Sequence, residues 1–304
     1  MMNQKKNKVI AVVGATASGK TAYAVELAGR VNGEIISADS RLVYKGLDIG
    51  TAKPDMDERF GIPHYMIDIV EPEVDYSVGL YANEARNIIE DIISRGKTPV
   101  IAGGTGLYFR ILLENYDLPK INPDYELRET LSKLSFAELY EMLVNLDAEA
   151  AKLVVQNDKR RAVRFIEIVK LTGSPVSEAR GLKEPEFEVE WIGLNYPREE
   201  LYDRINRRVD IMIKSGLLEE VKCLMDMGYT QELNSMKGIG YKEVMDYYDG
   251  KMSLEDAVEL IKQSSRRYAK RQLTWFRRDD RIHYVSSKNP FEESKKLIDE
   301  FLNR

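Results

Sequence analysis

At 304 residues, 43% hydrophobic and 31% charged, the chain has room for one large domain plus a smaller one, and this balance excludes long disorder. One cysteine, Cys223, excludes a disulfide framework or a cysteine-based zinc finger, and only two histidines, His64 and His283, leave a carboxylate as the expected general base. The net charge of -5 does not itself point to a nucleic-acid partner, but basic residues cluster in SSRRYAKRQLTWFRR at 264–278 and KRRAVR at 159–164.

In chain order, VIAVV at 9–13 is a continuous apolar, β-rich run, as expected of a buried parallel strand. A helix is predicted from Lys20, then a strand EIIS at 34–37 ending in ADSR, a helix over 78–95, and a strand TPVIA at 98–102 ending in GGTG. Residues 116–188 break the alternation and read as helices only, at 123–134, 135–145, 147–154 and 158–171. Strands at 191–195 and 281–285 follow, with a helical stretch over 199–227. This pattern predicts an α/β chain: a P-loop NTPase-like doubly wound parallel sheet with a helical insertion domain. The expected catalytic core is 1–115 with 189–304, the latter carrying the basic segment 264–278; 116–188 form the insertion. No apolar run reaches the ~18 residues of a membrane helix. With no export signal in MMNQKKNKVIAVVG, a cytoplasmic protein is expected, and without a heptad run, a monomer.

GATASGKT at 14–21 fits G-x-x-x-x-G-K-[ST] in full, directly after a strand and opening a helix. Gly14, Ala15, Thr16, Ala17, Ser18 and Gly19 form the loop whose amides cradle a phosphate. Lys20 adds positive charge and Thr21 a hydroxyl for Mg²⁺, the expected metal. Such a loop grips two adjacent phosphates and leaves open whether ATP or another diphosphate ester carries them. A P-loop ATPase usually places a magnesium-binding acid at the end of another strand, and the third strand here ends in GGTG without one. The second strand instead places Asp39 at the carboxyl edge, where ligands of such sheets bind; the alternative for Asp39 is a turn or capping acid.

Together with Asp39, a series of segments resembles the bacterial tRNA dimethylallyltransferases, the tRNA isopentenyltransferase family. GATASGKT is similar to the family's GPTASGKT, and ADSRLVYKGLDIGTAKP (38–54) to its second signature. FGIPHYMID (60–68), AGGTGLY (102–108), LYDRINRRVDIMIKSGLLEEV (201–221), KGIGYKE (237–243) and KRQLTWFR (270–277) follow in the family's order.

The resemblance implies transfer of a dimethylallyl group from dimethylallyl diphosphate to N6 of adenine 37 in the anticodon loop of tRNA, with Mg²⁺ and release of diphosphate. Lys20 and the loop amides would hold the leaving group, Arg207 and Arg208 would cover it, and Asp39 would take the proton from N6, with Thr105 beside it. It further implies an RNA side built from Asp39, Ser40, Arg41 and Leu42, Thr105, and in the insertion Arg128, Arg160, Arg161 and Arg164. Lys237, Gly238, Ile239, Gly240, Tyr241 and Lys242 would join it, with Lys270, Arg271, Gln272, Thr274, Trp275 and Arg277 at the end of the chain. The last stretch interleaves cations with Tyr268, Trp275 and Phe276, which suits phosphate contact plus base stacking. KRRAVR departs from the family, which often has Gln where Arg160 stands, so phosphate contact is the expectation there. Cys223 and His64 read as structural.

Two rivals are set against this reading. A small-molecule kinase using ATP explains 14–21 and Asp39 but not the basic-aromatic segment or the acid-free third strand. A nucleotide-gated RNA-binding protein would make no covalent product.

Overall fold

The computed structural model describes residues 6–114, 116–117, 121–176, 181–182 and 184–304. Its six-stranded sheet is entirely parallel. The strands are β1 (Asn7–Val13), β2 (Gly33–Ala38), β3 (His64–Tyr65), β4 (Thr98–Gly103), β7 (Phe187–Asn195) and β8 (Ile282–Ser286), in the order β3-β2-β4-β1-β7-β8. All five runs expected to be strands are strands. The sixth, β3, is a two-residue edge strand paired with Ile35 and Ile36 of β2.

Burial explains the continuous apolar runs. Every residue of β1 from Val9 to Val13 is fully enclosed, because helices cover both faces. One face packs Ile10, Val12, Ile35, Val100 and Ile192 against Leu27 and Ala28 of helix α1 (Lys20–Arg30) and against Phe291, Ile298 and Phe301 of the last helix, Pro290–Asn303. On the other, Phe109 of helix Gly106–Leu113 meets Trp191 and Phe276, and Tyr81 of helix Val78–Ser94 stacks on Tyr108 at 3.8 Å between ring centroids.

Register sets the site. Val13 pairs with Gly103, and Gly103 with Ala38. The residues that follow, Gly14, Gly104 and Asp39, therefore leave the sheet at one level of its carboxyl edge.

The chain divides into two compact units, one running to Leu112 and resuming at Glu186, the other Leu113–Pro185. The second unit holds helices Tyr125–Ser132, Phe136–Leu146, Ala148–Ala151 and Lys159–Thr172. Leu131, Leu139, Leu143, Phe165 and Ile166 form its apolar centre. A capping box between Ser135 and Glu138 starts Phe136–Leu146, and Asp147 caps the next helix while also accepting from the Val176 amide at 2.7 Å. This unit is not purely helical: Tyr116–Asp117 (β5) pairs antiparallel with Gly181–Leu182 (β6).

The helical stretch expected over 199–227 is two helices, α8 (Arg198–Lys214) and α9 (Leu217–Asp226) when numbered in chain order, broken at Gly216 with φ +102°. Beyond them lie α10 (Tyr241–Tyr248) and the long helix α11 (Leu254–Phe276).

Candidate active site

Three strand ends supply the polar groups. After β1, the loop 14–19 closes at Gly19, which caps α1 at φ +77°, where a glycine pays no Cβ penalty. Lys20 Nζ reaches back to the Ala15 carbonyl at 2.6 Å, and the Ser18 hydroxyl is buried without a hydrogen-bond partner among the described residues. Two groups brace the loop from outside. Arg204 Nε donates to the Ala17 carbonyl at 2.9 Å, and the Thr16 amide donates to Gln272 Oε1 at 2.8 Å.

After β2, Asp39 Oδ1 accepts from the Arg41 amide at 2.9 Å. Thr105, after β4, is held close to it: its amide donates to the Ala38 carbonyl at 3.1 Å, and its hydroxyl oxygen accepts from the Ser40 amide at 3.1 Å. Tyr268 of α11 lines the same cavity as Asp39.

Lys20, Thr21, Asp39 and Arg208 line one cavity of about 350 Å³, with Thr16, Ser40, Arg41 and Leu42. Apolar side chains also line it, Ile205, Val209 and Met212 of α8 and Ile261 of α11, with Ser265, Tyr268, Arg271 and Gln272 of the latter helix. Lys237, Gly238, Ile239 and Tyr241 complete the rim. Burial lowers the Lys20 pKa to about 8, with Asp39 pulling it up and Arg208 pushing it further down. Burial also lowers the Arg208 pKa, opposed by Asp39 and Glu58, and its guanidinium donates to the Thr51 carbonyl at 3.1 Å. The cavity thus places two desolvated cations beside one carboxylate, an arrangement suited to a polyanionic leaving group next to a proton acceptor. No cluster of three or more acidic, His or Cys side chains fit to hold a metal occurs among the described residues. The available oxygen donors are Thr21 and Asp39, a set that fits a hard cation carried chiefly by phosphate oxygens and water.

Not every expected residue comes here. Arg207 is exposed on α8 and bonds only its own helix, at the Asp203 carbonyl, so it lies off the cavity. Successive helical residues turn by about 100°, so Arg204, one turn before Arg208, shares the inward face and Arg207 does not. The spacing was the available signal for Arg204, and it was missed. Gln272, expected on the RNA side, borders the cavity but is only 5% exposed, and both ends of its amide bond within the protein. Arg41 donates to the Ser235 and Asn234 carbonyls, tying the Ser235–Lys237 turn to the Asp39 loop. Gly240 caps α10 and donates to Glu243 at 2.9 Å, while Lys242 is exposed.

Lys270, Arg271, Thr274, Trp275 and Arg278 surround a second, shallower concavity on α11; Arg271 also borders the first, and Arg277 lies outside both. In the other unit, Arg128 and Arg164 converge on the fully buried Glu167 at 2.8 and 2.5 Å. Arg161 pairs with Asp158 and donates to the Leu153 carbonyl, and Arg160 stands on the same helix.

Residues 42–279 match the family IPP transferase, and residues 7–69 match the family Isopentenyl transferase. The tRNA dimethylallyltransferase of Pelotomaculum thermopropionicum is 45% identical, over 94% of this chain and 92% of its own. That of Acetivibrio thermocellus is 43% identical, over 96% and 95%. The solved tRNA isopentenylpyrophosphate transferase of Bacillus halodurans superposes with a TM-score of 0.75 at 40% identity, over 98% of both chains. A eukaryotic dimethylallyltransferase solved acting on tRNA gives 0.86 at 31%, over 98% of this chain and 80% of that one. With the family match spanning most of the sequence and such relatives aligned nearly end to end, the chain belongs to the IPP transferases, the tRNA dimethylallyltransferase family.

Proposed function

We propose that this protein transfers the dimethylallyl group of dimethylallyl diphosphate to N6 of adenine 37 in the anticodon loop of tRNA, on a P-loop NTPase-like core. One observation carries the reading: Asp39 and Lys20 face a single cavity that also presents the apolar side chains of Ile205, Val209, Met212 and Ile261. A five-carbon allylic tail suits those side chains, and the relatives give the kinase no support.

The loop amides and Lys20 bind the diphosphate, and Arg208 meets the charge that grows as the allylic C–O bond breaks. Arg204 holds the loop in shape. The electron pair of N6 forms the new N–C bond, diphosphate leaves with the electrons of the old one, and Asp39 accepts the N6 proton. Thr105 holds the Asp39 side of the pocket. Val209, Met212 and Ile261 enclose the tail and keep water from the allylic carbon. Thr21 would hold Mg²⁺, which would supply positive charge to offset that of the leaving group.

The target adenine must leave its stack, which costs a few kcal/mol, and the basic surface around Lys270 and Trp275 suits phosphates and exposed bases of a single-stranded loop. The protein acts as a cytoplasmic monomer in this reading. The test is incubation with tRNA, dimethylallyl diphosphate and Mg²⁺, then nucleoside mass analysis. Adenosine gaining one dimethylallyl group less a proton is the expected result; unchanged adenosine with folded protein rejects the transfer.

A further inference from the structure

The segment 270–277 carries more than a surface. Two residues on one face of α11, Gln272 and Trp275, press on the two glycines that flank Thr105 after β4. A Cβ on Gly104 would stand 2.1 Å from Gln272 Nε2, and one on Gly106 would stand 2.2 Å from Trp275 Nε1. The two glycines of GTG therefore let a helix lie against their backbone, a packing reason independent of chemistry.

Gln272 does one thing more. Its Oε1 accepts from the Thr16 amide of the phosphate loop at 2.8 Å, and its Nε2 donates to the Gly104 carbonyl at 2.9 Å. The hydrogen bonds continue through Thr105 to Ser40 and through Arg41 to Asp39. One buried amide thus spans the loop that holds the leaving group and the loop beside the proton acceptor.

Resting on the transfer reading above, we infer that Gln272 is a positioning residue that sets the distance between the diphosphate loop and the Thr105–Asp39 edge, and that it is not an RNA contact. Both ends of its amide are needed, because an acceptor must face Thr16 and a donor must face Gly104. In-line attack on the allylic carbon depends on this spacing, and misplacement by about 1 Å costs on the order of 10²-fold in rate.

The experiment compares wild type, Gln272→Met and Gln272→Glu in steady-state transfer and in equilibrium tRNA binding, with melting temperatures as a control. Methionine keeps the volume and removes both bonds. Glutamate keeps the acceptor for Thr16 and turns an oxygen on the Gly104 carbonyl, so it serves if the methionine variant does not fold. For either folded variant, kcat is expected to fall about 10–100-fold, with tRNA affinity and its salt dependence unchanged. A kcat within twofold of wild type overturns the inference even if the melting temperature drops, since that marks a structural role only. Weakened tRNA binding with kcat retained also overturns it and restores the RNA contact. Lack of product from wild type removes the transfer reading itself, a result distinct from either.

Discussion

Lys20 and Asp39 carry opposite demands in one pocket. Lys20 is costly to keep charged there, and its pKa of about 8 means that the free protein loses this cation as pH rises through 8. A diphosphate brings negative charge against the ammonium and raises that pKa. Above about pH 8, donor binding should therefore take up a proton, and donor affinity should fall with rising pH. Calorimetry at about pH 9 in two buffers of different ionisation enthalpy checks this; identical binding heats would mean that Lys20 is already protonated there. Asp39 is tested by Asp39→Ala, expected to lower kcat by about 10²–10⁴ while tRNA affinity holds. Near-normal turnover would remove Asp39 as the proton acceptor.

Elements meet at the site through clamps that tie one motif to another. The Glu220 carboxylate on α9 accepts from the amides of Asp48, Ile49 and Gly50 at 3.0, 2.7 and 3.1 Å and from the Tyr241 hydroxyl at 2.6 Å. This pins the segment ahead of Thr51, whose carbonyl holds Arg208 over the cavity. Glu220→Ala orphans three amides and a phenol and should cost at least about 1–3 kcal/mol, whereas Tyr241→Phe should cost only about 1 kcal/mol. Urea unfolding gives both values, and equal costs would locate the strength in the phenol and not in the amides. Sequence reasoning could not see this clamp, because Glu220 lies far from Asp48 along the chain and the motifs that hold them do not say which segments meet. It also ran α8 and α9 together. Apolar residues keep helical spacing on both sides of Gly216, which itself takes a left-handed φ of +102°. Local context did reveal the phosphate loop, since a strand, a complete motif and a helix coincide within a few residues.

At the scale of the molecule, the sheet was legible because buried parallel strands are unbroken apolar runs, as in Val9–Val13. β3 was not, for two residues carry no period. Charge divides in the same way: the clusters are plain in the sequence, but which cations stay free for a partner depends on packing. Arg266 bonds Asn206 and pairs with Glu259, so it is already committed. Arg267, Lys270, Arg271 and Arg278 are exposed on the same stretch, and three of them border the concavity beside Trp275, itself 43% exposed. A protein of net charge -5 that binds RNA must do so through such a local field. Its affinity for tRNA should fall linearly in log–log form with salt, by about 0.7–0.9 in slope for each phosphate neutralised. Replacing Lys270 or Arg271 with Gln should flatten that slope by about one such step, while Arg266→Gln should leave it unchanged. Binding isotherms between about 50 and 200 mM salt decide the matter. A slope that ignores Lys270 and Arg271 but responds to Arg266 would mean that the RNA approaches from the opposite side of α11.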